Sequence, residues 1–136
     1  MAKTRRSITV HLPRYRRDRE QWRRDILDCV LEKQQDRSVQ YSSEDTFEVT
    51  VLLYLGTKKK QKRFSIHDVD NRLKDILDAL QGRLGRSRSS RRLIDNDNRV
   101  LRVVIEKRLH PKNPKIKSGG WLKIRPFRHR QYRWRL

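Results

Sequence analysis

The sequence has few of the features that define secreted, membrane or disulfide-stabilised proteins. Its single cysteine, Cys29, excludes an internal disulfide and suits a reducing compartment. It contains no run of about 18 apolar residues, which excludes a membrane-spanning helix. We therefore expect no membrane partner. The start of the chain lacks the apolar segment of a secretory signal peptide, although its Arg-rich, acid-free character leaves a transit peptide as an alternative.

Apolar residues are also scarce, at 34% of the 136 residues, whereas charged residues make up 38%. A chain of this length normally forms one domain. Because so little apolar material is available, the core has to come from a few strongly patterned segments, and we do not expect a second core. We expect one domain over residues 1–127, followed by a basic tail over residues 128–136.

Acidic residues are heavily outnumbered. Sixteen Asp and Glu face thirty-six Lys and Arg, which leaves a net charge of +20. Because like charge at this density repels itself unless a polyanion neutralises it, we expect a nucleic acid as partner and a cytoplasmic, nucleoid-associated location. Residues 1–24 carry a net charge of +7, and three acid-free segments, residues 57–67, 81–92 and 111–136, carry +5, +5 and +9. The first two acid-free segments are expected to contact DNA phosphates through Lys58, Lys59, Lys60, Lys62, Arg63, Arg86, Arg88, Arg91 and Arg92.

Hydrophobic periodicity predicts four strands and two long helices. Their order, β, α, β, α, β, β, predicts an α/β (α+β) fold in which a roughly four-stranded mixed sheet is covered by the two helices. Cys29 belongs to the apolar stripe of the first helix and is expected in the core rather than as a reactive thiol. The predicted strands span residues 7–12, 47–56, 100–109 and 120–127, and the predicted helices span residues 16–35 and 68–84.

The second predicted helix carries an acidic motif, HDVDNRLKDILDAL. Asp70, Lys74 and Asp78 follow one another at i+4 steps, so they can share one face of the helix, opposite the leucine stripe. A purely structural interpretation accounts for them. In this interpretation Asp68 caps the helix, Asp70 is a first-turn acid that suits the helix dipole, and Lys74 is the i+4 salt-bridge partner of Asp70.

The same helix start also permits metal binding. Mg²⁺ takes hard oxygen ligands, typically a few carboxylates together with water and substrate phosphate. Asp68 and Asp70 supply two carboxylates, and the segment LIDNDNRVL offers a third through Asp95 or Asp97. His67 adjoins the motif, but a lone histidine is more often a surface or phosphate-contacting residue than a metal ligand.

Four aromatic residues lie among Lys and Arg towards the end of the sequence. Trp121 and Phe127 fall on the last predicted strand, where we expect them to pack in the strand or the core. Tyr132 and Trp134 lie beyond that strand. For these two, packing and stacking on exposed bases both stay open.

The helix motif and the acidic turn after it resemble the RusA family of Holliday-junction resolvases, over residues 66–107. In that family a D-x-D-N-x-x-K-x-x-x-D-A-L helix precedes a turn with two adjacent acids and then a strand. The turn's acids correspond here to Asn96 and Asp97, and Asp97 is favoured over Asp95 because it keeps the distance to Val100 at the strand start. Every spacing of the helix motif is kept, in Asp68, Asp70, Asn71, Lys74, Asp78, Ala79 and Leu80.

The resemblance implies an endonuclease that, as a homodimer, cuts four-way DNA junctions by paired nicks. It implies Mg²⁺ as cofactor, with Mn²⁺ as a substitute. Asp68, Asp70 and Asp97 would then hold the metal. Lys74 would bind the scissile phosphate or stabilise charge in the transition state.

Two other functions stay open. A non-catalytic basic nucleic-acid-binding protein, of ribosomal or architectural type, explains the charge but gives no reason for the set of acids and lysine in the motif. A degenerate relative would bind branched DNA without cutting it. Asn96, which stands where the family has an acid, is the observation that favours this second alternative.

Overall fold

The computed structural model describes residues 6–15, 18–55, 66–85, 88–109, 111, 115 and 118–128, and within them the side chains of all but residues 55 and 66–68. The described residues form a four-stranded mixed sheet with two helices packed on it, which confirms the predicted fold class. The strands are β1 (Ile8–Leu12), β2 (Phe47–Leu55), β3 (Val100–Leu109) and β4 (Gly120–Pro126), and the helices are α1 (Arg19–Asp36) and α2 (Ile66–Leu80).

The strand order in the sheet is β1, β4, β2, β3. β2 and β3 are parallel neighbours connected through α2, and β4 is antiparallel to both of its neighbours. It follows that β1, β2 and β3 all run in the same direction, so their carboxyl ends lie at one end of the sheet. This arrangement fixes the end of the sheet at which each connecting segment lies.

The first helix begins at Arg19, because Asp18 caps it. The Asp18 side chain accepts a hydrogen bond from the backbone N–H of Gln21 at 3.1 Å, which satisfies one of the N–H groups left free at a helix start. Trp22 is buried in the core. Cys29 packs against the core, as predicted from its place in the apolar stripe.

The second helix ends at Leu80, four residues before the predicted end. Gly82 causes this early end, since its φ of +75° lies in the left-handed region, and a Cβ there would lie 2.6 Å from the carbonyl oxygen of Arg91. The chain then folds back on the helix. The backbone N–H groups of Leu93 and Ile94 donate to the carbonyl of Leu80 at 2.9 and 3.0 Å.

The helices cover one face of the sheet and leave the other face open. Along β4 the residues alternate between buried and exposed, as expected for a sheet with one covered face. Trp121 lies on the open face, 38% exposed, and packs on His11 of β1 rather than in the core. The residues that point to the helices are Ile8, Val10, Leu12, Val49, Val51, Leu53, Leu122 and Ile124.

Candidate functional site

The two leading acids of the motif lie inside α2, because the helix begins at Ile66. Asp68 is therefore in the first turn and does not cap the helix, so the capping interpretation is wrong. Its side chain lies outside the described residues. Asp70 is exposed, and its carboxylate makes no hydrogen bond or ion pair within the described part of the chain.

Lys74 is exposed one turn after Asp70. The structural interpretation requires an ion pair between Lys74 and Asp70, and these two described residues do not form one; Lys74 is not paired with Asp78 either. Asp78 is instead paired with Arg23 of α1, at 3.3 Å. The Lys74 ammonium is thus exposed one helical turn from Asp70 and forms no ion pair with a described residue.

The most strongly bound acid of α2 is one that sequence reasoning missed. Asp75 is 1% exposed, and it accepts hydrogen bonds from Arg19 at 2.9 and 3.1 Å and from Arg23 at 2.7 and 3.0 Å. The hydrogen bond to Asp75 also raises the pKa of Arg19. The sequence signal for this contact is the i+4 spacing of Arg19 and Arg23, which places both arginines on one face of α1. This cluster clamps α2 to α1 and so orients the face that carries Asp70 and Lys74.

The beginning of α2 lies at the carboxyl ends of β1 and β2. The guanidinium carbon of Arg72 is 3.0 Å from the centre of the Tyr15 ring, and Tyr15 follows the end of β1 by three residues. Leu12, the last residue of β1, lies in the same row of the sheet as Leu53, near the carboxyl end of β2. Asp70 precedes Arg72 by two residues and shares this location.

The acidic turn forms a short 3-10 helix, Asp97–Arg99, directly before β3. Asn96 caps it, since the Asn96 side chain accepts a hydrogen bond from the backbone N–H of Asn98 at 3.1 Å. The residue that replaces an acid of the family pattern therefore has a structural role in the turn.

The two acids that flank Asn96 differ in their surroundings. Asp95 forms an ion pair with Arg92 at 3.2 Å, whereas the Asp97 carboxylate is exposed and has no partner among the described residues. Asp97 lies just before Val100, which pairs with Phe47 at the beginning of β2. Asp97 is therefore at the amino end of the parallel strand pair.

Asp70 and Asp97 thus lie at opposite ends of β2 and β3. The stretch from Phe47 to Leu53 alone spans roughly 20 Å at the rise of a strand. Along α2, Asp70 precedes Leu80 by ten residues, or about 15 Å. The described backbone does not bring the two carboxylates together within one chain. In the part of the chain that the structure describes, no three His, Cys, Asp or Glu side chains form a group that could hold a metal ion.

The sequence also matches a known protein family over most of its length. The family model described as "Endodeoxyribonuclease RusA" matches residues 2–117, a range that contains both the α2 motif and the acidic turn. The chain belongs to the RusA family. This confirms the resemblance seen in the sequence, and RusA membership supports an endonuclease that acts on Holliday junctions. No curated protein matches the chain.

The donor atoms of the RusA motif suit a divalent cation. Asp70 and Asp97 present carboxylate oxygens, the hard ligands that Mg²⁺ prefers, and both are exposed with no ion pair to a described residue. Asp75 and Asp78, in contrast, are already bound by arginine. The carboxylates of Asp70 and Asp97 are therefore suitable metal ligands, but within one chain they lie too far apart to share a metal ion.

Three of the basic residues expected to contact DNA lie among the described residues, and each binds the protein itself. Arg88 donates to backbone carbonyls, Arg91 pairs with Asp28 at 3.5 Å, and Arg92 pairs with Asp95. All three remain exposed, so DNA contact stays a prediction for them. The described helices include none long and apolar enough to cross a membrane. The side chains outside the described set include Lys58, Lys59, Lys60, Lys62, Arg63, His67, Arg86, Tyr132 and Trp134.

Proposed function

We propose that this RusA-family protein is a Mg²⁺-dependent, structure-specific endodeoxyribonuclease that resolves four-way DNA junctions by paired symmetric nicks. The observation that carries the proposal is the face of α2, where Asp70 and Lys74 are exposed and form no ion pair with any described residue. The salt-bridge role considered for Lys74 would have required an ion pair with Asp70. The net charge of +20 supports tight binding of a polyanionic substrate.

The proposed roles follow from the chemistry of phosphodiester hydrolysis. Asp68 and Asp70 hold the metal, and Asp97 completes the ligand set. When bound, the metal supplies an activated water and neutralises charge on the phosphate oxygens. Lys74 holds the scissile phosphate, where its ammonium offsets the negative charge that develops in the transition state. Asp75 is a positioning residue, since it acts by clamping α2.

The working unit is proposed to be a homodimer, because a single chain does not supply the whole ligand set at one place. A closed two-fold dimer can bring the end of one sheet beside the opposite end of the other. It would then form two identical sites, each with Asp70 from one copy and Asp97 of the partner subunit. A four-way junction has a two-fold arrangement of strands, so two such sites would nick it symmetrically.

Cleavage of an end-labelled four-way junction tests the proposal. We expect paired, symmetric products with Mg²⁺ or Mn²⁺ and none with a chelator. Asp68→Asn, Asp70→Asn and Asp97→Asn should each abolish cleavage while junction binding persists. Asp95→Asn is the matched control and should cut, because Asp95 is already engaged by Arg92. Cleavage by Asp97→Asn, together with its loss in Asp95→Asn, would contradict the choice of third ligand.

Binding of branched DNA without cleavage is the second candidate function. The separation of Asp70 from Asp97 within one chain favours it, and so does Asn96 at the position of a family acid. It predicts a protein that binds four-way junctions tightly and cuts none of them with any divalent metal. The same assay, run beside a gel-shift measurement of binding, decides between the two functions.

A further inference from the structure

The open face of the sheet carries a line of aromatic and basic side chains along β4. Trp121, Lys123 and Arg125 alternate with buried residues and so point away from the helices, and Phe127 follows them. Successive members of such a line are about 6.8 Å apart, so the four side chains span about 20 Å. Because β4 lies between β1 and β2, the line runs along the middle of the face.

Trp121 is held in place although it is exposed. Its ring centroid is 3.7 Å from that of His11 on β1, with an angle of 38° between the ring planes, and 38% of the residue is accessible. On the other side, Leu52 of β2 lies opposite it and is half-buried. The sheet thus presents a fixed indole at its surface. The part of the ring that His11 and Leu52 leave exposed can stack on any nucleobase, since every base has a π face.

The charge around Trp121 complements a phosphate backbone. Lys123, the next residue of the line, is exposed; its charge contributes to the lowered pKa of Glu48, but it forms no ion pair with a described residue. Glu48 is bound by Arg125 at 2.6 Å and by Arg102 at 3.2 Å, and the charge of Lys123 also lowers its pKa, so three cations surround this one acid. The guanidinium carbons of the same two arginines lie 6.0 and 5.9 Å from the centre of the Phe127 ring. An aromatic ring therefore lies beside the basic groups at both ends of the line.

We propose that this face binds the unpaired nucleotides of branched DNA, with a base stacked on Trp121 and an adjoining phosphate held by Lys123. Aromatic side chains beside a basic track are the elements that proteins use to bind single strands. The proposal rests on the proposed function for its substrate, but it assigns a surface separate from the acidic face of α2. A second copy of this chain fits the face less well, because it brings the same positive charge and a net +20.

The test titrates the full chain with a short oligothymidylate strand, without metal, while tryptophan fluorescence is recorded. Trp22 is 1% exposed and should not respond. Trp134, the third tryptophan, is tested by Trp134→Phe, which should keep the quenching if the signal depends on Trp121. Trp121→Leu should bind the strand roughly 5- to 150-fold more weakly and lose that quenching. Lys123→Gln should lower the slope of log affinity against log salt by about 0.7. Arg24→Gln removes one exposed charge from α1, and is the matched control expected to bind like wild type.

A fully paired DNA duplex is the control ligand, because its bases are stacked on one another and their faces are not available to Trp121. Trp121→Leu should bind this duplex as the wild type does. Circular dichroism melting confirms that each variant is folded. Wild-type affinity of both Trp121→Leu and Lys123→Gln for the single strand would overturn the proposal.

A dimer-to-monomer shift in the sedimentation of Trp121→Leu, with oligothymidylate binding unchanged, would also overturn the proposal, because it would assign the face to a second copy. Junction cleavage by the wild type is scored separately. Its absence with every divalent metal counts against the nuclease, whereas the single-strand measurements alone judge the open face.

Discussion

Among single residues, Lys74 has two alternative roles, an i+4 salt bridge within α2 or binding of the scissile phosphate, and its contacts distinguish between them. An i+4 salt bridge stabilises a helix by only about 0.2 to 0.5 kcal/mol, and Lys74 forms none with Asp70 or Asp78. We therefore expect Lys74→Ala to melt like the wild type and to cut junctions about 100-fold more slowly or worse. Single-turnover cleavage and thermal melting of one preparation measure both quantities. Lys33→Ala on α1 is the control, and near-normal turnover in Lys74→Ala would refute the catalytic role.

Asp75 differs from the other acids of α2 because it is buried between two arginines. Removing one partner of a buried ion pair usually costs about 3 to 5 kcal/mol. Arg19 is half exposed and can return to water, so we expect Asp75→Ala to lower the free energy of unfolding by about 3 kcal/mol, near the lower limit. Urea denaturation measures this change. Asp36→Ala, at the exposed end of α1, is the control, and a loss in Asp75→Ala no larger than in that control would show that the cluster does not clamp the helices.

The helices and strands could be predicted from the sequence because most of them have a clear apolar period, which is weakest in β3. β3 and the main part of β2 lie where the alternation and the continuous apolar run place them. Helix ends were predicted less well, since they depend on single contacts. Asp18 caps α1 through its own side chain, and Gly82 stops α2 by adopting a left-handed conformation against the backbone of a distant loop.

The motif on α2 could be found from the sequence, but the shape of the site could not. The spacing within one helix fixes which of its residues share a face, so Asp70 and Lys74 were placed correctly on the exposed side. The relation of α2 to the turn at Asp97 depends on the direction of β2 and β3, which the apolar pattern does not encode. The buried contacts of Asp75 were missed because they join two helices that are remote in sequence.

The three strands β4, β2 and β3 are joined on the open face by one ionic cluster. The hydrogen bond from Arg125 lowers the pKa of Glu48 from its usual 4.5, with Arg102 adding to the effect. A lowered pKa in the folded state stabilises the protein above about pH 4.5, and this stabilisation is lost as pH falls through the lowered value. Glu48→Gln should therefore be less stable than wild type at neutral pH and lose less stability on acidification.

Urea midpoints measured across the acidic range check this expectation. Asp45 also has a lowered pKa: burial opposes the shift, but the hydrogen bonds from Arg6 and from the backbone of Ser42 outweigh it. Some acid sensitivity will therefore remain in Glu48→Gln. Glu44→Gln, an exposed acid beside β2, is the control. Parallel acid profiles for the wild type and Glu48→Gln would show that the cluster does not couple the strands.

For the whole molecule, the net charge and the proposed two-fold assembly act against each other. Two copies, each with a charge of +20, repel one another at low salt, so a dimer needs either a sufficient apolar contact or DNA to offset the repulsion. Asp70 and Asp97 lie at opposite ends of one sheet, so only a dimer can bring Asp70 of one copy beside Asp97 of the partner subunit and complete the proposed site. A dimer that joins those ends has a functional reason to form despite its charge.

Mixed dimers of Asp70→Asn and Asp97→Asn test whether each site is shared between copies. Each variant alone should be inactive. If the ligands come from different chains, a mixed dimer has one site with both substitutions and one site with neither, so it should nick one strand of a junction. Random exchange in an equal mixture makes about half of the dimers mixed. If both ligands came from the same chain, every site in the mixture would carry one substitution. A mixture as inactive as its parents, with exchange verified by sedimentation of tagged chains, would therefore rule out the shared site.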